Sequence, residues 1–217
     1  MRWMMLVTLL SLNAANAAYS ADEAVQVSTC IGTINSLPRT NSDEPGVSVW
    51  DGSGISPEGF SLDNGAPSYK GSASFTHLSS PRLVTLFGQK ANIVIGADST
   101  TYLEPVQDQP DLYRAIQMNE APTVSFACTV NPEKDEAVTI QYKLQTNVLV
   151  RRERIAGLNL EAGRPVFQKT TVENKSVLRF GEWLIQRVYP SSDNDECMVI
   201  LLKIEPFDPS KQPGSQQ

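Results

Sequence analysis

The chain has 217 residues, of which 41% are hydrophobic and 19% charged, and its formal net charge at pH 7 is −6. These fractions are typical of globular domains, so the chain can bury a core and lacks the composition of a disordered protein. Nucleic acid is not an expected partner, because a polyanion calls for a basic surface. The only basic group, Arg151, Arg152 and Arg154, alternates with other residue types and is interpreted as a solvated strand edge.

The first residues have the pattern of a secretory signal. Arg2 precedes an apolar run over residues 3–12, which is followed by the small-residue sequence Ala15-Asn16-Ala17. The run has about half of the ~20 residues that a membrane-spanning helix needs. We therefore expect residues 1–17 to be a cleavable signal peptide and the mature domain to begin at Ala18.

Three cysteines, Cys30, Cys128 and Cys197, would enter an oxidising compartment with such an export signal. An odd number cannot pair completely within one chain, so at most one internal disulfide can form. All three lie in apolar, strand-like runs, which favours buried thiols that act as small hydrophobic residues. Their disulfide state is left open by the sequence.

Strand patterns dominate the chain from residue 25 onwards. Residues 25–34 alternate apolar and polar side chains, as expected of a first strand, whereas residues 36–74 are rich in Gly, Pro and Ser and predict loops or short hairpins. Further strands are predicted over 82–87, 91–95, 123–130, 137–149, 170–172, 177–178, 183–188 and 198–204. The fold class is therefore all-β with mostly antiparallel sheets and at most one or two short helices.

Two segments depart from this pattern. Residues 111–118 place apolar side chains at Leu112 and Ile116, which allows one short helical turn. Residues 207–217 continue a proline-containing end that we expect to be a disordered tail. The predicted organisation is thus a signal peptide (1–17), one β domain (18–206) with a Gly/Pro/Ser-rich insertion (36–74), and the tail.

No catalytic, cofactor-binding or metal-binding residue is predicted. The only histidine, His77, has serines nearby but no acidic residue close in sequence, and we interpret it as structural or exposed. The acidic run 193–196 lacks the glycine and distal glutamate of a calcium loop, so it reads as a solvated turn. Gly52-Ser53-Gly54 precedes no helix that could bind phosphate. The aromatic residues Trp50, Phe60, Tyr69 and Phe75 are interpreted as anchors of the long insertion.

A family resemblance is carried by residues 78–96, Leu-Ser-Ser-Pro-Arg-Leu-Val-Thr-Leu-Phe-Gly-Gln-Lys-Ala-Asn-Ile-Val-Ile-Gly. This stretch resembles the signature of the bacterial secretin C-terminal domain, where it forms adjacent strands. Other segments resemble the family's remaining strands in the family's order: 25–34, 124–132 with 137–142, 165–172 with 177–185, and 196–206. Together they cover most of residues 25–206.

The chain also departs from that family. After Ile185 the family has Gly-Gly-Leu and a loop associated with the outer rim of the channel, whereas this chain has Gln186-Arg187-Val188 and turns back. A Gly/Ser-rich stretch replaces the helix that usually precedes the signature, and no ring-building domains are expected before Val25. The chain is therefore expected to be a truncated and divergent member.

The resemblance implies a structural component of a type II or III secretion system or type IV pilus apparatus. Such a component would assemble by strand pairing, with copies of itself or with other parts of the apparatus, in the periplasm or outer membrane of a Gram-negative bacterium. One alternative is a soluble periplasmic binding or scaffold protein that retains the β-fold without forming a pore. These two interpretations expect a non-enzyme without a cofactor, and association with the outer membrane stays open. A third alternative, an exported hydrolase of another fold, has little support because no nucleophile and base can be named.

Overall fold

The fold is known from a computed structural model, which describes residues 23–35, 46–107, 109–155, 162–189 and 197–209. The predicted signal peptide, the acidic run 193–196 and residues 210–217 of the predicted tail lie outside the described residues. No α-helix occurs in the described ranges, so none there is long and apolar enough to cross a membrane.

The described residues form fourteen β-strands, which confirms the predicted all-β class with mostly antiparallel sheets. In chain order they are β1 (Ala24–Asn35), β2 (Val47–Trp50), β3 (Phe60–Asp63), β4 (Ala66–Tyr69), β5 (Ser74–Ser79), β6 (Arg82–Leu86), β7 (Lys90–Gly96), β8 (Thr100–Val106), β9 (Gln109–Met118), β10 (Thr123–Pro132), β11 (Ala137–Arg152), β12 (Pro165–Arg179), β13 (Trp183–Val188) and β14 (Cys197–Pro206).

The first sheet has six strands in the order β2-β13-β14-β1-β5, with β6 also paired to β1. Strands β1 and β14 are antiparallel over ten residue pairs, from Val25 opposite Pro206 to Ile34 opposite Cys197. Both faces of this central pair are buried, since neighbouring residues such as Leu201 and Leu202 each have 0% exposure. Burial on both faces explains why residues 198–202 read as a continuous apolar run instead of an alternating one.

One face of this sheet carries a defined hydrophobic cluster. Its buried members come from β1, β2, β3, β13 and β14: Cys30, Ile34, Trp50, Phe60, Trp183, Ile185, Cys197, Val199 and Leu201. Lys203 lies over the Trp183 ring, 5.7 Å from its centroid.

The Gly/Pro/Ser-rich insertion contributes short strands to this cluster. β3 and β4 form a hairpin in which Asn64 and Gly65 both have positive φ (52° and 80°), the backbone of a two-residue turn that glycine and asparagine favour. The Phe60 ring lies 5.1 Å from the Tyr69 ring and 5.5 Å from the Phe75 ring, centroid to centroid. The predicted short hairpins and aromatic anchors are therefore confirmed.

The second sheet has the order β12-β11-β10-β7. Residues 170–172 and 177–178, predicted as two strands, belong to the single strand β12. The polar residues between them lie on an outer strand, so their side chains can be exposed to solvent while the strand continues through them. Arg151, near the end of β11, and Arg154, which follows it, are exposed, as expected of a solvated basic group.

Strands β8 and β9 form a separate two-stranded sheet. The helical turn allowed for residues 111–118 was wrong, because this segment pairs with β8 from Thr100 opposite Met118 to Pro105 opposite Tyr113. Apolar residues four positions apart fit either a helix turn or one face of a strand, and the cross-strand partner decides between them.

The chain divides into two compact units. The first contains the described residues within 1–91, 129–141 and 175–217, and the second contains those within 92–128 and 142–174. The six-stranded sheet and its hydrophobic cluster belong to the first unit. The β8–β9 hairpin belongs to the second.

Candidate functional site

His77 lies on β5, and its Nε2 atom is 2.7 Å from the Ser80 hydroxyl oxygen. Both residues are exposed. The Ser80 side chain also forms a hydrogen bond with the Cys30 thiol. The structure thus brings together a serine and a histidine, which the sequence suggested only as neighbours.

This pair lacks the third member of a hydrolytic triad. No hydrogen bond joins the His77 ring to a carboxylate within the described part of the chain, whereas a catalytic base is oriented by such a group. The Ser80 hydroxyl is also shared with a buried thiol. The pair fits a surface contact that ends β5, and the expectation of a non-enzyme stays a prediction.

The Gly52-Ser53-Gly54 segment forms a turn that is stabilised from within. The Asp51 carboxylate accepts hydrogen bonds from the Ser53 hydroxyl (2.7 Å) and backbone N–H (2.8 Å), and these bonds lower the pKa of Asp51. The Trp50 indole N–H donates to the Ser53 carbonyl oxygen at 2.8 Å. Over the described ranges, no group of three or more His, Cys, Asp or Glu side chains could hold a metal ion.

The cysteines are buried free thiols, as predicted. Burial raises the pKa of the Cys128 thiol to about 12, and it also raises the pKa of Cys30. A thiol with a raised pKa carries little thiolate at neutral pH and is a poor nucleophile. Cys197 lies opposite Ile34, four residues along β1 from Cys30, so these two thiols are too far apart for a disulfide.

The Ser79-Ser80-Pro81 sequence inside the resemblance marks a change of strand. β5 pairs with residues 31–35 of β1, and β6 pairs with residues 24–28 on the same side of β1. Between them, the Thr29 backbone N–H and hydroxyl both donate to the Pro81 carbonyl oxygen, each at 3.0 Å. Because proline has no N–H to donate, Pro81 suits the point where one strand ends and the next begins.

Strands β7 and β12 are the outer strands of the second sheet. Exposed apolar side chains lie on both: Val94 (64% exposed) and Ile95 (40%) on β7, and Val177 (59%) on β12. An outer strand presents backbone N–H and C=O groups to a further strand, and exposed apolar residues increase that tendency. Local patterns predicted both segments as strands, but only the strand order shows that they are the two edges.

Charged residues occupy the exposed face of β12. Lys169, Glu173, Lys175 and Arg179 are all exposed, and Glu173 forms an ion pair with Lys143 on β11. Charges on an outer strand are a common device against uncontrolled pairing. β7 has one charged residue, Lys90, at its beginning.

No family profile and no curated protein matches this chain. Among solved structures, the secretin-domain β-barrel of InvG from the Salmonella SPI-1 injectisome is similar with 10% identity and a TM-score of 0.44, over 90% of this chain and 65% of that chain. The type IV competence pilus secretin PilQ of V. cholerae is similar with 11% identity and a TM-score of 0.43, over 85% of this chain and 61% of that chain.

A third similar structure is the Klebsiella pneumoniae type II secretion system outer membrane complex, with 10% identity, a TM-score of 0.36, and coverage of 85% of this chain and 39% of that chain. The chain spans less than two thirds of the length of these solved chains. The first two are described as secretins, the family whose signature residues 78–96 resemble.

Proposed function

We propose that this chain is a secretin-like structural component of a bacterial protein secretion or pilus apparatus, and that it assembles by pairing its outer strands. The observation that supports this proposal is the four-stranded sheet with exposed apolar side chains on both outer strands, β7 and β12. The proposed place of assembly is the periplasm or the outer membrane. The resemblance of residues 78–96, which include all of β7, points to the same segment.

Pairing of β7 from one copy with β12 from the next is a head-to-tail contact between two different surfaces. Such contacts close into a ring if the rotation between copies permits, and otherwise continue as a filament. β7 has 7 residues and β12 has 15, so the shorter strand limits the length of the new ladder. Val94 and Val177 would lose their exposed apolar surface on assembly, which favours the contact.

A second candidate is a soluble periplasmic binding or scaffold protein that keeps the β-fold as a single copy. The charged side chains on β12 favour this alternative, since they oppose pairing of an outer strand. The two candidates predict different masses in solution.

Light scattering coupled to size exclusion measures the mass of the mature protein, both from the soluble fraction and from detergent-extracted membranes. The proposal expects assemblies of many copies that survive mild detergent. The Val94→Lys variant is expected to weaken them, because it places a charge on the exposed face of the proposed contact. Val177→Lys tests the partner strand in the same way.

Ile55→Lys is the matched control, because Ile55 is 66% exposed and belongs to neither outer strand. It should leave the assembly unchanged. A single-copy mass in both fractions would overturn the proposal and support the second candidate. Equal loss of assembly in Ile55→Lys and Val94→Lys would show that the outer strands have no special role.

A further inference from the structure

A polar cleft of about 400 Å³ lies within the second unit. Its floor is one face of three neighbouring strands, with Thr123 and Ser125 on β10, Gln145 and Asn147 on β11, and Lys169 and Thr171 on β12. These side chains occupy alternate positions, so they point to the same side of the sheet. Phe126 and Tyr142, at the intervening positions, contact each other with ring centroids 6.0 Å apart on the opposite side.

Two connections form the wall of the cleft. Ala97 and Asp98 follow β7, and residues 119–121 precede β10. The Asn147 side-chain N–H donates to the Ala121 carbonyl oxygen at 2.8 Å, and Lys169 forms an ion pair with Glu120. The wall is thus attached to the floor at two points, which gives the cleft a fixed width.

The lining residues restrict the chemistry of a ligand. Its only apolar members are the small residues Ala97 and Ala121, so an apolar molecule would find little to contact. Lys169 is paired with Glu120, and Asp98 adds a negative charge, so an anion is disfavoured. β10 and β11 are inner strands whose backbone groups serve the sheet, so an extended peptide could pair only along the outer edge of β12 and not across the floor of the cleft.

What remains is recognition by hydroxyl and carboxamide side chains. Each carboxamide has hydrogen-bond donors and an acceptor side by side, and each hydroxyl can both donate and accept a hydrogen bond. Asn147 is 9% exposed, yet its Oδ1 atom has no hydrogen-bond partner among the described residues. The floor therefore has unused hydrogen-bonding capacity at the cleft, and buried polar atoms of this kind normally acquire partners.

We propose that this cleft binds a neutral saccharide. A sugar ring is uncharged and presents hydroxyl donors and acceptors around its edge, which matches the Thr, Ser, Asn and Gln side chains of the floor. The volume lies at the lower end of the range for small-ligand pockets. Binding at this cleft does not require assembly of the chain.

Isothermal titration calorimetry on the mature protein tests the proposal, with the β-1,4 disaccharide of N-acetylglucosamine as the probe. An uncharged, terminally blocked tripeptide and inorganic phosphate serve as comparison probes. We expect saturable binding of the disaccharide and weaker or no binding of the other two. Gln145→Ala should weaken disaccharide binding about tenfold, as expected for one lost hydrogen bond.

Gln141→Ala is the matched control, because Gln141 is an exposed glutamine on the same strand but outside the cleft. Thermal unfolding of both variants verifies that they fold. The proposal is overturned if the wild-type protein shows no saturable disaccharide binding, if the tripeptide or phosphate binds more tightly, or if folded Gln145→Ala binds like Gln141→Ala.

Discussion

Replacement of Gly32 by alanine tests how closely β1 and β5 approach. A Cβ atom at residue 32 would lie 2.3 Å from two ring atoms of Phe75 and 2.7 Å from the Thr76 carbonyl oxygen. Separations below 3.0 Å essentially never occur for real Cβ atoms. Gly32→Ala therefore forces the Phe75 ring and the β5 backbone to move.

The sign of the stability change depends on two opposing effects. Gly32 does not have a positive φ, so alanine would by itself stabilise the strand by about 0.5–1 kcal/mol. The overlap with a ring and with backbone has the larger effect, since overpacking in a well-packed interior costs about 1–3 kcal/mol. We expect a net destabilisation of about 1–2 kcal/mol, which lowers the melting temperature by about 2–8 °C for a domain of this size.

Urea unfolding monitored by tryptophan fluorescence measures this change, since Trp50 and Trp183 belong to the adjacent cluster. The Phe75→Ala variant, alone and combined with Gly32→Ala, completes a double-mutant cycle. Removing the ring should recover part of the loss, and the Thr76 carbonyl should preserve the rest. A Gly32→Ala protein at least as stable as the wild type would refute the close approach of the two strands.

The remaining predictions concern stability, pH and export. Leu202→Ala should lower the free energy of unfolding by about 2–5 kcal/mol, because Leu202 is fully buried; a loss below about 1 kcal/mol in urea unfolding would contradict that burial. His77→Ala should change the free energy of unfolding by no more than about 0.5 kcal/mol, and loss of a biological activity in this folded variant would oppose the non-enzyme prediction. Because burial raises the pKa of Cys128 from 9.0 to about 12, the contribution of its protonated thiol is complete below pH 9 and lost as the pH approaches 12. The free energy of unfolding, measured in urea at several pH values, should therefore fall as the pH rises from 9 towards 12, and Cys128→Ala should reduce this fall. Part of the fall should remain in the variant, because burial also raises the pKa of Tyr142 to about 12. Intact-mass analysis of periplasmic protein should find an N-terminus at or near Ala18, and a retained leader would contradict the export prediction.

The sequence predicts strands well where turn residues bound a short apolar run. Residues 183–188 were predicted with their observed bounds, because Trp183, Leu184 and Ile185 form a compact apolar run between turns. Sequence reasoning fails where a residue spacing fits two structures and a cross-strand partner decides between them. Leu112 and Ile116 fit a helix as well as a strand, and only pairing with β8 decides.

The two proposed functional surfaces are harder to predict, because each depends on the order of the strands in the sheet. Val94 and Val177 look like ordinary strand residues until the sheet shows that their strands are its edges. Likewise Ser125, Gln145 and Thr171 are far apart in sequence and meet only because β10, β11 and β12 are neighbours. Polar residues at alternate positions of three strands can be recognised as one surface only when the order of those strands in the sheet is known.

The pairing of β1 with β14 also bears on how the protein folds. These central neighbours come from opposite ends of the described chain, so the ladder from Val25–Pro206 to Ile34–Cys197 joins residues with most of the sequence between them. Contacts of such long sequence separation slow folding, because a large loop must close before they form. The six-stranded sheet cannot be completed until β14 has been synthesised, so in a nascent chain that ends before Cys197 this sheet is expected to lack its central strand. β14 therefore has to enter between β13 and β1 as the last step in assembling this sheet.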